Sequence, residues 1–167
     1  MGMEIRRVPP NWEHPRDKRG NFIPLIDDDY ESVAREWMDN CIQWENGTHP
    51  DRIKNPDAEF YWDYSDGTPY KDDYRPRWTV EPTWYQVYET VSMGTPVSPP
   101  FSSKVKLVNY LVKHGTFWDQ YKGNGGWNRK AAKHIVNAMW VPSMIMTVGD
   151  DGQAKCFEPH DMEGEKV

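Results

Sequence analysis

GTPVSPPFSSKVKLVNYLVKHG, residues 94–115, carries the clearest start and stop signals for a helix in this chain. Gly94 ends the preceding segment, and the prolines after it hold the chain extended, because a residue before proline is disfavoured in the α region. Ser102 or Ser103 is predicted to cap the helix, and Gly115 is placed to end it in the left-handed conformation. The stripe expected to be buried consists of Val105, Val108 and Leu111 or Val112. The stretch therefore predicts a scaffold helix against which another helix packs.

Two more helices are predicted from apolar residues at spacings of three and four. One begins after a cap at Asp27 or Asp28 and ends at Asn46-Gly47. Its apolar face consists of Tyr30, Val33, Ala34, Trp37, Met38, Cys41 and Trp44. The other begins at Trp127 or Asn128, and Pro142 closes it. Its buried residues are expected to be Ala131, Ala132, Ile135, Val136 and Met139.

The strand signals are shorter. The segment "MEIRRVP" predicts a strand from Met3 to Val8, and "SMIMTVGDDGQAKCF" (143–157) has the apolar runs and Gly/Asp turn of a β-hairpin. Residues 82–94, "PTWYQVYETVSMG", are interpreted as a short helix or an irregular turn, because their large side chains fall on one helical face. Residues 48–82 read as irregular, with a short helix or strand over 58–64 as an alternative. The loop at 11–29 contains a predicted turn at Arg19-Gly20-Asn21.

These elements together predict an α+β fold. It consists of three main helices packed with a small antiparallel sheet or hairpin, and a long aromatic-rich irregular region. One globular domain is expected over residues 1–157, followed by a polar tail over residues 158–167.

The composition predicts a core built from rings. Nine Trp, nine Tyr and five Phe accompany only three leucines. Aromatic side chains carry most of the apolar area that such a chain can bury, and the surplus is expected at a surface that binds a partner.

Charge and cysteine content narrow the classes of function. A formal net charge of −6 disfavours direct nucleic-acid binding, which needs a basic face. Cys41 and Cys156 give no disulfide framework, so a reduced, cytoplasmic compartment is expected. The sequence contains no apolar run of membrane-spanning length, and no membrane partner is predicted.

Several segments together resemble a family of small phage and prophage proteins. The segments are "IRRVPPNWEHPRD", "GNFIPL", "GTPVSPPF" before a helix, "GGWN" opening another, and "VPSMIM" after it. The resemblance covers much of the chain, and residues 48–80 match only loosely. It implies a phage-type accessory protein that acts in the cytoplasm of a bacterial host by binding host machinery, including defence systems. It supplies no catalytic residues.

The middle region from Tyr61 to Trp78 mixes carboxylates with aromatic rings. Aromatic anchors bordered by charge are typical of compact protein interfaces. The residues predicted to contact a protein partner are Trp62, Tyr64, Asp66, Tyr70 and Asp73. The less favoured alternative is a small hydrolase, in which paired carboxylates and stacking rings form a sugar-binding cleft.

A second alternative is a small-ligand or nucleotide site at the glycine-rich loop "GNGGWNRK", residues 123–130. Free backbone N–H groups at a helix start can hold a phosphate. The residues of this alternative are Asn124, Gly125, Gly126, Arg129 and Lys130. The loop lacks the Lys-Ser/Thr pattern of a P-loop and the glycine spacing of a dinucleotide fingerprint.

The histidines do not predict a catalytic centre. His134 is interpreted as a helical surface residue and His114 as a favourable charge at a helix end. A zinc site from Cys156 and His160 is disfavoured against a buried thiol and a solvated tail histidine. No cofactor, metal or catalytic residue is therefore predicted.

Overall fold

The structure is a computed structural model that describes residues 2–65, 67–142, 145–148 and 154–157. The chain divides into two compact units. The sheet unit consists of Met1–Pro24 and Trp78–Val167, and the aromatic unit consists of Leu25–Arg77. The single domain over residues 1–157 stays a prediction. The tail at 158–167 lies outside the described residues.

The elements follow one another in the order β, α, irregular, β, α, β. The strands are β1 (Gly2–Val8), β2 (Ile26–Asp29), β3 (Tyr74–Arg75), β4 (Trp84–Glu89), β5 (Thr95–Pro96), β6 (Trp140–Pro142), β7 (Ile145–Val148) and β8 (Ala154–Phe157). The helices are α1 (Tyr30–Glu45), α2 (Tyr61–Tyr64), α3 (Lys104–His114), α4 (Phe117–Lys122) and α5 (Arg129–Ala138). A 3-10 turn covers Lys71–Asp73.

The sheet unit is built on a four-stranded antiparallel sheet with the strand order β5-β4-β1-β6. The predicted strand at Met3–Val8 is confirmed as β1. The helix or irregular turn predicted over 82–94 is wrong, because Trp84–Glu89 forms β4 and pairs along the whole of β1 from Glu89 opposite Met3 to Trp84 opposite Val8. Aromatic and β-branched side chains favour the extended backbone, and both faces of β4 are covered.

One face of this sheet packs against α3 and α5. The buried cluster contains Ile5, Val87, Val97, Leu107, Val108, Leu111, Trp127, Ala132, Ile135, Val136 and Val141. The predicted packing of the third helix against the scaffold helix is confirmed, because α3 and α5 are in contact. Deeply buried aliphatic side chains of this kind each stabilise the fold by about 1.5–3 kcal/mol.

The ends of these helices follow the predicted signals. The side chain of Ser103 accepts the Lys106 N–H at the start of α3, and Gly115 ends α3 with a φ of 66°. Val105 was expected in the buried stripe but is 69% exposed, and Leu107 lies in the core instead. The buried side of α3 passes through Leu107, Val108 and Leu111, and Val105, two residues before Leu107, lies on nearly the opposite side of the helix.

The third predicted helix is confirmed as α5. Asn128 caps it, and its four predicted residues from Ala131 to Val136 are buried. The helix stops before Pro142, because Met139 has a φ of 64° and is followed directly by β6. Met139 is therefore the cap, half-buried at the edge of the core.

The segment between α3 and α5 is organised around a buried carboxylate. Asp119 Oδ2 accepts hydrogen bonds from the Thr116 N–H, the Thr116 hydroxyl and the Trp127 indole N–H at 2.8, 2.7 and 2.8 Å. Three donors on one oxygen offset the cost of burying the charge. This network joins α4 to the residue that precedes the α5 cap.

The other face of the sheet is polar and lies under the loop that follows β1. Arg6 and Gln86 are opposite each other in the β1–β4 register, as are Glu4 and Tyr88. The Arg6 guanidinium donates to Glu4 at 2.6 Å and lies 4.4 Å from the centre of the Tyr88 ring. Gly94 has a φ of 121°, and a side chain there would collide with the Arg6 guanidinium.

In the aromatic unit, β2 and β3 form a short parallel pair that leads into α1. The predicted first helix is confirmed, with Asp29 rather than Asp27 or Asp28 as its cap, because the Asp29 carboxylate accepts the Ser32 N–H. Trp44 is buried, but Met38 is exposed, contrary to the predicted apolar face. Met38 stays in solvent because the buried stripe of α1 is narrower than predicted.

The remaining predictions of local structure agree with the chain trace. The irregular region contains α2 and the 3-10 turn, so the alternative of a short helix within 58–64 is confirmed. A turn places Gly20 at a φ of 87° and pairs Arg16 with Phe22. The β-hairpin is confirmed by the antiparallel pairing of β7 and β8. The fold is α+β, with three main helices and a small antiparallel sheet. Across the described ranges, none of the helices has the length and apolarity needed to cross a membrane.

Candidate partner-binding surface

The interior of the aromatic unit is a cluster of rings. The Trp44 ring stacks on Tyr64 with 4.8 Å between centroids, and it lies 5.2 Å from His49 and 5.7 Å from Tyr61. The Trp44 indole donates to the Ala58 carbonyl oxygen at 3.3 Å. These contacts attach α2 to the end of α1, so the neighbouring residues of α2 have a defined position.

Two rings beside this cluster remain in solvent. Phe60 and Trp62 stack in parallel with centroids 4.5 Å apart, and they are 45% and 48% exposed. The Asp63 carboxylate accepts the Phe60 N–H at 2.9 Å and so fixes the start of α2. The two stacked rings therefore form a rigid aromatic patch on the surface, and they lose little conformational entropy when a partner covers them.

The stacked pair forms one wall of a groove with a volume of about 430 Å³. Its lining comprises Cys41, Trp44, Glu45, Arg52, Glu59, Phe60, Tyr61 and Trp62. Met38 and Ile42 are exposed one turn apart on α1 and flank Cys41 in the sequence. Exposed apolar side chains thus continue from the groove along one side of α1.

The groove carries negative charge. Glu45 and Glu59 line it, and neither forms an ion pair with another described residue. Arg52 also lines it, which leaves the lining with a formal net charge of −1, and its guanidinium donates to the carbonyl oxygen of Ala58 at 2.9 Å. Residues 25–77 contain 14 Asp and Glu against 6 Lys and Arg, a formal net charge of −8. The field at this surface therefore favours a basic partner.

The structure separates the four predicted contact residues that it describes, Trp62, Tyr64, Tyr70 and Asp73. Trp62 lines the groove, whereas Tyr64, which is 40% exposed, does not line it and stacks on Trp44. Partial burial raises the pKa of Tyr64, and the negative charge of the nearby Asp51 carboxylate raises it further.

The other three predicted residues lie further along the chain. Tyr70 is exposed and Asp73 is half-buried around the 3-10 turn. No hydrogen bond, ion pair or ring contact among the described residues joins either of them to Trp62, whose ring contact is with Phe60, and Asp66 lies outside the described residues. Trp78, the end of the predicted region, belongs to the sheet unit and packs edge-on against Trp12 at 5.5 Å.

Sequence analysis missed Phe60, Met38 and Ile42 as parts of the surface. The spacing of Met38 and Ile42 on one side of α1, opposite Val33, Trp37 and Trp44, was the available signal. For Phe60 the signal was Asp63 three residues later, which marks a helix start and therefore a ring held just outside it.

In the glycine-rich loop, the predicted ligand residues Gly126, Arg129 and Lys130 have structural roles within the fold. A side chain at Gly126 would lie 1.9 Å from the Val112 carbonyl oxygen, so this glycine permits close approach to the end of α3. Arg129 donates to the Asn109 side chain at 3.0 Å, and the Lys130 N–H is bound by the Asn128 cap. Asn124 and Gly125 are exposed. Nucleotide binding at this loop stays a prediction.

The structure describes His114 and His134, whereas it does not describe the side chains of the predicted zinc-site residues Cys156 and His160. His134 is exposed on α5, and His114 lies 5.1 Å from the Tyr110 ring. Among the described residues, no group of three or more His, Cys, Asp or Glu side chains is placed to hold a metal ion. His160 and the side chain of Cys156 lie outside what the structure describes.

Comparison with known proteins gives no relatives: no family model, no curated protein and no solved structure matches this chain.

Proposed function

We propose that the chain is a phage-type accessory protein that binds a protein of the bacterial host and has no enzymatic activity of its own. The observation that carries the proposal is the stacked Phe60–Trp62 pair, half exposed beside an acidic groove. Large aromatic anchors next to a pocket dominate the binding energy of compact interfaces. The resemblance to phage and prophage proteins supplies the biological setting, the host cytoplasm.

The chemistry of the groove defines the partner. An apolar side chain, such as Leu or Phe, fits against the stacked rings and the exposed Met38 and Ile42. Lys or Arg residues beside that anchor would pair with Glu45 and Glu59, which lack ion pairs within the described residues. The expected partner is thus a host protein segment in which basic residues flank an apolar one. Proteins of host defence systems are the first candidates.

The test is a comparison of three baits in bacterial lysate: the wild type, the double variant Phe60→Ala/Trp62→Ala, and Tyr121→Ala. Tyr121 is an exposed ring of the sheet unit and serves as the matched control. A host protein captured by the wild type and the control, but lost from the double variant, is then purified and titrated against each. We expect the double variant to weaken binding about 30-fold or more.

Salt separates this proposal from non-specific hydrophobic adhesion. Binding of the purified partner is expected to weaken as NaCl is raised, because salt screens charge pairs at the rim of an interface. Equal affinity of the folded double variant and the wild type would refute the proposed surface. Tyr70→Ala/Asp73→Ala then tests whether the predicted contacts around the 3-10 turn also touch the partner.

A further inference from the structure

A second concave site lies in the sheet unit and is independent of the partner-binding surface. Its volume is about 630 Å³, within the usual range of small-molecule pockets. The polar face of the sheet supplies its floor through Gln86, and the loop after β1 supplies His14 and Trp12. Phe22 and Phe117, whose rings are nearly parallel and 6.3 Å apart, complete its apolar walls.

The floor of this pocket is a buried hydrogen-bond network. Gln86, only 3% exposed, donates from Nε2 to the Ser98 carbonyl oxygen at 2.7 Å. Its Oε1 lies 3.0 Å from the Tyr88 hydroxyl, and that hydroxyl also lies 3.1 Å from His14 Nδ1. The Trp12 indole donates to the same hydroxyl at 3.2 Å.

Counting protons in this network leaves one acceptor in excess. His14 Nε2 lies 2.7 Å from the Ile23 carbonyl oxygen, which can only accept, so the neutral ring carries its proton on Nε2. His14 Nδ1 and Gln86 Oε1 are then both acceptors, and they face the single proton of the Tyr88 hydroxyl. One of the two lacks a donor among the described residues, and a buried acceptor without a donor is costly.

Gln86 also has an unused donor. Its NH₂ group has two hydrogens, and within the described residues only one of them has an acceptor, the Ser98 carbonyl oxygen. The pocket floor thus offers a donor at Gln86 Nε2 and, beside it, an acceptor at the second lone pair of Gln86 Oε1 or at His14 Nδ1. A ligand complementary to this pattern has an N–H next to a carbonyl oxygen or ring nitrogen, as in a lactam.

The walls and the rim restrict the ligand further. Flat faces of Trp12, Phe22 and Phe117 favour a planar ring, since ring faces stack. At the rim, Glu13 and Arg16 contribute opposite charges, so the site does not favour an anionic or a cationic ligand. From these features we infer that the pocket binds a neutral planar heterocycle of the nucleobase type, held edge-on by the Gln86 amide.

The test uses isothermal titration of the full chain with uracil, 9-methylhypoxanthine and 9-methyladenine, each beside an analogue without the N–H donor. The analogues are, in the same order, 1,3-dimethyluracil, 1,9-dimethylhypoxanthine and N6,N6,9-trimethyladenine. We expect saturable binding of at least one base and about tenfold weaker binding of its methylated analogue, because the methyl groups remove the donor to the network.

Variants show where a base binds. Phe117→Ala removes a wall and is expected to weaken binding about tenfold, while Tyr121→Ala, a change outside the pocket, leaves affinity unchanged. Gln86→Met removes the amide and is expected to make a base and its methylated analogue bind equally. If Gln86→Met does not fold, the methylated analogues and Phe117→Ala still decide the question. The inference is overturned if no base binds saturably, or if methylation leaves the affinity of the wild type unchanged.

Discussion

Some single residues in this chain make contacts that the sequence around them does not predict. Asp119 stands in "TFWDQYK" (116–122), and its carboxylate accepts hydrogen bonds from three donors in two segments. Thr116 three residues before Asp119 was a readable signal, since it forms a reciprocal cap with that residue at the start of α4. The hydrogen bond from the Trp127 indole to Asp119 was not predictable, because it depends on the path that residues 123–126 take after α4.

His14 is the residue from which a pH dependence follows. Burial lowers its pKa below the ordinary value of 6.5, and the nearby Arg6 and Arg16 guanidinium groups lower it further, against an opposing hydrogen bond to the Ile23 carbonyl. The unfolded chain therefore takes up the proton first as the pH falls. The stability held above about pH 6.5 should decrease as the pH falls below that value, until the folded state is protonated as well.

The measurement is urea unfolding of the wild type, His14→Gln and His134→Gln at about pH 7.5 and about pH 5.5. We expect a smaller loss of unfolding free energy between the two pH values for His14→Gln than for the wild type. His134 is exposed on α5, so its variant should retain the wild-type loss. An unchanged loss in His14→Gln would show that the titration of other groups sets the pH dependence.

Elements were predictable where one local signal decided them. Ser103 and Asn128 cap the starts of α3 and α5 as predicted, and Gly115 follows the last residue of α3. These boundaries were predictable because capping uses groups within a few residues of one another. The strand β4 was mistaken for a helix or turn because "WYQVYE" places large side chains on a helical face as well as on both faces of a strand. Only the pairing of β4 with β1, about eighty positions away in sequence, decides between them.

The loop between α4 and α5 gives a prediction at the scale of elements. Gly126→Ala places a methyl group against the backbone carbonyl of Val112 at the end of α3, where no side chain can move away. We expect the free energy of unfolding to fall by about 2 kcal/mol. The change is measured as a shift in the urea midpoint at constant slope.

Gly123→Asn is the matched control for that loop. Gly123 has a φ of 74° and open space around it, and Asn tolerates this conformation better than other residues. Its destabilisation should be smaller than that of Gly126→Ala. Equal effects of the two variants would contradict a steric origin at Gly126.

At the scale of the whole molecule, charge is divided unevenly between the two units. The aromatic unit has a formal net charge of −8, while the chain as a whole has −6, so the sheet unit has +2. The acidic and aromatic composition of the middle region was visible in the sequence and led to the prediction of Trp62 as a contact residue. The stacking of Tyr64 on Trp44 was not visible there, because it depends on where α1 places the Trp44 ring.

This division predicts a local response to salt. Like charges within the aromatic unit repel one another, and salt screens that repulsion. Raising NaCl from about 0.05 to about 0.5 M shortens the Debye length from roughly 14 to roughly 4 Å. Amide exchange in residues 30–45 should therefore slow more than exchange in residues 84–89. Hydrogen-exchange mass spectrometry measures both segments in one sample. The prediction is contradicted if raising the salt concentration leaves amide exchange in residues 30–45 unchanged or makes it faster.

The strand order β5-β4-β1-β6 has a consequence for synthesis on the ribosome. β1 is an inner strand, and its two neighbours, β4 and β6, are translated long after it. At elongation rates of about 5–20 residues per second, β1 leaves the exit tunnel on the order of ten seconds before β6. The nascent chain therefore exposes Ile5 and Val8 during that interval, and the sheet closes only when β6 has also left the tunnel.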